Sequence, residues 1–243
     1  MDLLPLQYVW FVWSLLLLAV WLAVYFFLSR REEQREMLVV SLTTSLLGLT
    51  EPLFVPEYWS PPSLFDLALR TGFDLESLIF SFAIGGLAFA LYGSIFRGRH
   101  VAMSPHRRHL GHHRFHLWAL LTAPAILVGL LLATNLNPLH SAIIAMIAGG
   151  LATWYCRPDL KLKMVTSAFL FLGLYFVYFW TLIVIAPIGY VEQVWNLAAI
   201  SGVLILGIPL EELLFALSFG FIWSSVYEHF TWRRLVLDNR DIM

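Results

Sequence analysis

The chain has 243 residues, 60% of them hydrophobic and 13% charged, with a formal net charge of −1, 1 cysteine and a mean hydropathy of +0.77. A soluble domain of this size carries nearly twice that share of charge, so a water-soluble fold is excluded, and the near-neutral balance offers no footprint for nucleic acid. A single cysteine, Cys156, excludes an intrachain disulfide and a cysteine-rich metal site.

The apolar residues fall into runs of about 17 to 25, the length that crosses a bilayer. Residues 8–28 (YVWFVWSLLLLAVWLAVYFFL) are the first span, too long and too poor in upstream positive charge for a cleaved leader. Further spans are expected at 37–56, 75–96, 117–134, 139–156, 164–187 and 208–228. The apolar stretch 197–207 could extend the last of them, although Pro209 suits a first helical turn better than an interior. Seven spans predict an all-α integral membrane protein.

Positive charge orients it. Arg30, Arg31 and Arg35 follow the first span, Arg97, Arg99, Arg107, Arg108 and Arg114 the third, Arg157, Lys161 and Lys163 the fifth, and Arg233, Arg234 and Arg240 the seventh. With seven crossings those segments share one face, which the positive-inside rule makes cytoplasmic. Only Arg70 lies opposite. The N-terminus is expected outside and the C-terminus inside the cell membrane.

FDLESLIFSFAIGGLAFALY (73–92) overlays IPLEELLFALSFGFIWSSVY (208–227) at an offset of 135, with identities at Leu75/Leu210, Glu76/Glu211, Leu78/Leu213, Phe80/Phe215, Gly85/Gly220 and Tyr92/Tyr227. Trp59 answers Trp195 with a one-residue slip, and span two overlays span six. The chain therefore divides into a three-span unit (1–96), a basic, His-rich loop with a linking span (97–138), and a second three-span unit with a short tail (139–243). Three spans reverse the chain direction, so one extra crossing makes the two units parallel repeats about an axis along the membrane normal. Glu76 and Glu211 are then expected near the outer ends of their helices, facing each other across that axis.

In PLEELLF the adjacent Glu211 and Glu212 follow Pro209 and occupy a first helical turn, where unpaired N–H groups and the helix dipole favour negative charge. Helix-start acids facing interfacial water would explain one such residue. Two in lipid surroundings, echoed by Glu76, point to function. Glu211 shares a face with Phe215, and Glu76 with Phe80, at i, i+4. Trp195, Phe215, Phe219 and Trp223 can supply aromatic walls, with Phe80, Trp59 and the outer-end acid Glu51 (TEPLF) as further candidates.

Three spans, an aromatic loop and a Pro-x-Glu-Glu at the start of a span resemble the small membrane-embedded lycopene cyclase domain family, here in its fused two-repeat form. The first half departs from that pattern, reading Asp74-Leu75-Glu76-Ser77 without the proline or the second acid. The resemblance implies carotenoid biosynthesis: ring closure on linear lycopene without net redox change, an isomerase-type lyase reaction on a lipophilic isoprenoid. For that reaction Glu211 and Glu212 are expected to form an acid/base pair assisted by Glu76. Such a closure needs a proton delivered to an alkene carbon, shelter for a tertiary cation and removal of another proton, work suited to paired carboxyls and aromatic faces. No nucleotide fingerprint is present and no cofactor is evident, although a reduced flavin stays open. A second copy of the chain or other carotenoid enzymes are open as partners.

Six of eight histidines lie in RHVAMSPHRRHLGHHRFH. His109, His112 and His113 have the look of one box of a membrane di-iron oxygenase, but such sites need about three boxes; no metal is expected, and contact with anionic headgroups is the simpler account. The two lysines, Lys161 and Lys163, fall in a loop, which excludes a retinal Schiff base within a span. A Glu-Glu membrane protease fails because PLEELLF already lies in the last span. Two alternatives remain: a proton-coupled carrier using Glu51, Glu76, Glu211 and Glu212, and a non-catalytic family member.

Overall fold

The structure is a computed structural model that describes residues 4–108 and 111–237. It is all-helical apart from two small ribbons. α1 (Leu6–Phe27), α2 (Arg31–Ser45) with a 3-10 extension (Leu46–Leu53), the short α3 (Leu67–Thr71) and α4 (Leu75–Phe96) come first. β1 (Gly98–Ala102), the short α5 (Pro105–Arg108) and a 3-10 turn (Gly111–Phe115) lead into α6 (His116–Ala133). α7 (Pro138–Cys156), α8 (Lys161–Ile185) and the short α9 (Tyr190–Val194) follow. The β2–β3 hairpin (Leu204–Ile205, Ile208–Pro209), α10 (Leu210–Thr231) and β4 (Arg233–Leu237) complete it.

Among the described residues, six helices are long and apolar enough to cross a membrane, at the positions expected for spans one and three to seven. The second expected span, 37–56, is built differently. Arg31, Glu32, Glu33, Arg35 and Glu36 crowd the start of α2, and Pro52, which lacks an N–H, lies in the 3-10 extension. Its 15 α-helical and 8 3-10 residues nevertheless reach about 38 Å at 1.5 and 2.0 Å per residue, and its outward Leu38, Leu42, Leu46 and Leu49 are exposed. α8 also starts earlier than expected, at Lys161 after a turn opened by Pro158, so Lys163 lies in a helix rather than a loop.

α1 and α2 pack on α4, α7 and α8 pack on α10, and α4 and α10 touch each other. α6 packs chiefly on α7 and buries only Ala119. Gly85 and Gly220 let the central helices approach their neighbours, as small residues do in membrane bundles. A Cβ on Gly85 would lie 2.1 Å from Thr44 Oγ1, and one on Gly220 would lie 2.8 Å from Phe171 Cβ and 3.0 Å from the Ser167 carbonyl. Gly220→Val is therefore expected to destabilise the fold by about 1 to 3 kcal/mol in a detergent melt. Gly173→Ala, where an added Cβ meets nothing within 4 Å, should cost nothing.

At one end of the bundle β1 pairs antiparallel with β4, with Gly98 opposite Leu237 and Ala102 opposite Arg233. Arg97 and Trp232, which precede the two strands, both adopt left-handed backbone. At the other end Trp59 bridges Trp195. Next to the β1–β4 ribbon lies a buried charge network: His100 Nδ1 is 2.6 Å from Glu36 and Nε2 is 3.0 Å from Glu228, which also accepts from Lys163. Arg233 and Tyr227 reach Glu36 at 2.5 and 3.0 Å.

Burial opposes the imidazolium of His100, but Glu228 and then Glu36 outweigh it and Lys163, so its pKa lies above the ordinary 6.5. A raised folded pKa stabilises fully below the unfolded value, and the benefit is lost as pH climbs through the folded value. The melting temperature should accordingly fall as pH rises from about 6.5 upward, and His100→Gln should flatten that slope.

Candidate active site

α10 begins where a two-residue turn ends. Leu206 and Gly207, both at positive φ, close the β2–β3 hairpin, the backbone that a tight antiparallel turn requires. The apolar stretch before Pro209 therefore does not extend the span. Pro209 itself is the extended N-cap residue rather than part of the first turn.

Glu211 and Glu212 lie in the first turn of α10, pointing about 100° apart around the helix. Glu212 is buried and takes three donors: the Tyr58 hydroxyl and Trp195 Nε1 (2.8 Å) on Oε1, and the Tyr175 hydroxyl (2.6 Å) on Oε2. Burial and then the neighbouring Glu212 hold the Tyr58 phenol well above its ordinary range, so it stays an O–H donor. Glu211 turns to the loop before its helix, accepting from Ser201 N at 2.8 Å with His140 Nε2 at 3.4 Å. Glu76 does the same in the first half, accepting from Leu64 N at 2.8 Å. The expected meeting of Glu76 and Glu211 is thus replaced by two separate loop anchors.

A cavity of about 470 Å³ opens beside Glu212. It is lined mainly by apolar side chains from both halves, including Trp10, Trp59 and Phe80 from the first and Tyr175, Trp195 and Phe215 from the second. Its two carboxyl-bearing linings are Glu212 and Glu51; Glu211 and Glu76 are not among the residues on its wall. Glu51 is buried, and its Oε1 has no partner among the described residues.

Phe215, Phe219 and Trp223 stack in succession at 5.5 and 5.1 Å along one face of α10. Trp59 lies 5.5 Å from Trp195 and 4.8 Å from Trp10. The lining continues to His229 and Phe230, about 27 Å along the helix from Glu212 at 1.5 Å per residue.

The structure thus brings Glu212, Glu51, Trp195, Phe215, Phe80 and Trp59 to one cavity. Sequence reading missed Tyr58, Tyr175 and Trp10. The available signals were a hydroxyl in the middle of an apolar span for Tyr175 and adjacency to Trp59 for Tyr58. Of the weak metal candidates, His113 is buried beside Cys156 and His116. His109 falls outside the described residues, as does the side chain of His112.

No curated protein and no solved structure matches this chain. Residues 137–230, from the N-cap of α7 through the last turn of α10, match the family model described as Lycopene cyclase.

Proposed function

We propose that this chain closes an end group of a linear carotenoid, lycopene in the first instance, into a ring inside the membrane. The observation that carries the reading is Glu212, held by three donors at the wall of a long, mainly apolar cavity. A polyene can lie along such a cavity, reached sideways from lipid. A proton is added to the terminal alkene carbon; the neighbouring alkene attacks the resulting tertiary cation to form the ring bond, and a different proton leaves the new cation. One proton enters and one departs, so the sequence balances without oxidant or reductant.

The Trp195 N–H, which can only donate, and the two tyrosine hydroxyls suit Glu212 as the carboxylate that faces the cation and takes the departing proton. Glu51, with an unpartnered oxygen at the same cavity, is the proton source. Trp59, Phe80, Trp195 and Phe215 present ring faces and edges to the cation, each face contributing about 2 kcal/mol when desolvated. Glu211 and Glu76 position the loops that roof the site.

The same reading places the acids near the outer face, with the N-terminus outside, the C-terminus cytoplasmic and parallel repeats at 1–96 and 139–243. Support comes from the pairing of β1 with β4, whose residues are related by the 135-residue offset, from the Trp59–Trp195 bridge, and from the loop contacts of Glu76 and Glu211.

Cells that accumulate lycopene should lose it and gain a cyclised carotenoid when this chain is expressed. Unchanged pigment, with the protein demonstrably in the membrane, would overturn the proposal. Proton flux in reconstituted vesicles would then favour a carrier.

A further inference from the structure

We infer that His113, His116 and Cys156 form a binding site for a zinc-type divalent cation, separate from the Glu212 carboxyl. Their ligand atoms all lie within 4.8 Å of one another. Cys156 Sγ is 3.7 Å from His113 Nδ1 and 3.6 Å from His116 Nδ1. Tetrahedral zinc, with bonds of about 2.3 Å to sulfur and about 2.1 Å to nitrogen, puts sulfur and nitrogen about 3.6 Å apart. Both observed edges fit that figure. A thiol has one proton, so it can donate to only one of the two imidazoles.

The surroundings favour a held ion over a surface scavenger. Cys156 is fully buried and His113 is 7% exposed. Trp232 stacks on the His116 ring at 3.9 Å and fixes its plane. Arg157, the adjacent cation, is neutralised by a bidentate pair with Asp159 at 2.9 and 2.8 Å. His229 lies against His116, 2% exposed, and its Nε2 has no partner among the described residues. Thiolate with imidazole selects zinc-class ions over magnesium or calcium.

The site also has a structural purpose. It joins the turn that opens α6 to the last residue of α7, and α6 has little other burial holding it. Three protein ligands leave a fourth tetrahedral position open. His113 and His116 precede the stretch matched by the family model, so the family match does not supply this site.

Cobalt(II) titration of the full chain in detergent tests the inference. Because Cys156 is the only cysteine, any thiolate-to-cobalt charge-transfer band reports this site and not the other loop histidines. The expected result is one equivalent of cobalt per chain with tetrahedral d–d bands and that charge-transfer band, all displaced by zinc. Cys156→Ser should lose the charge-transfer band, and His113→Gln should weaken binding at least tenfold. Cobalt uptake without the band, or no uptake, would overturn the site. Both readouts use the parent protein, so they stand even if a variant fails to fold, and neither depends on cyclase activity.

Discussion

Glu212→Gln is expected to slow ring formation about 10²- to 10⁴-fold, the scale for loss of a positioned acid or base, with the protein still present in the membrane. Gln has the same shape and its carbonyl can still accept from Tyr58 or Tyr175, so the fold is spared. The amide cannot take the departing proton, and its NH₂ meets a donor where the carboxylate met three. Glu51→Gln should fall in the same range. Glu211→Gln should cost less than about tenfold, because an amide oxygen still accepts from Ser201 N. The measurement is cyclised carotenoid per unit of membrane protein. A Glu211→Gln loss as deep as that of Glu212→Gln would return the catalytic role to the outward-turned acid.

The largest stability effect is expected from Glu228→Gln, about 3 to 5 kcal/mol, the scale for stripping one partner from a buried ion pair. Glu228 is fully buried, bonded to Lys163 and His100, and its backbone carbonyl accepts from Arg157 at 2.8 Å. Without its charge, Lys163, only 5% exposed, is left buried and uncompensated. The double variant Glu228→Gln/Lys163→Met should recover much of the loss, since replacing both members of such a pair is far less costly than breaking it. Thermal unfolding in detergent reads both. A single variant that melts with the parent would show the network to be solvated.

This network could not be anticipated from spacing. Glu36, His100, Lys163, Glu228 and Arg233 are scattered over nearly 200 positions, and only the packing of α2, β1, α8, α10 and β4 brings them together.

Hydropathy by itself located six membrane-length helices, because a bilayer imposes a length of apolar residues that any helix must meet. It misjudged the character of α2, whose inward face carries Glu36, Ser41 and Thr44 beside Met37 and Val40 while its outward face presents leucines, a pattern that window averages blur. The motif PLEELLF placed two acids at a helix start and led to the family that residues 137–230 match. Which acid turns inward depended on the tertiary structure. Neighbouring residues on a helix point about 100° apart, and only the aromatic residues converging from Tyr58, Tyr175 and Trp195 select Glu212 for the cavity and leave Glu211 to hold a loop.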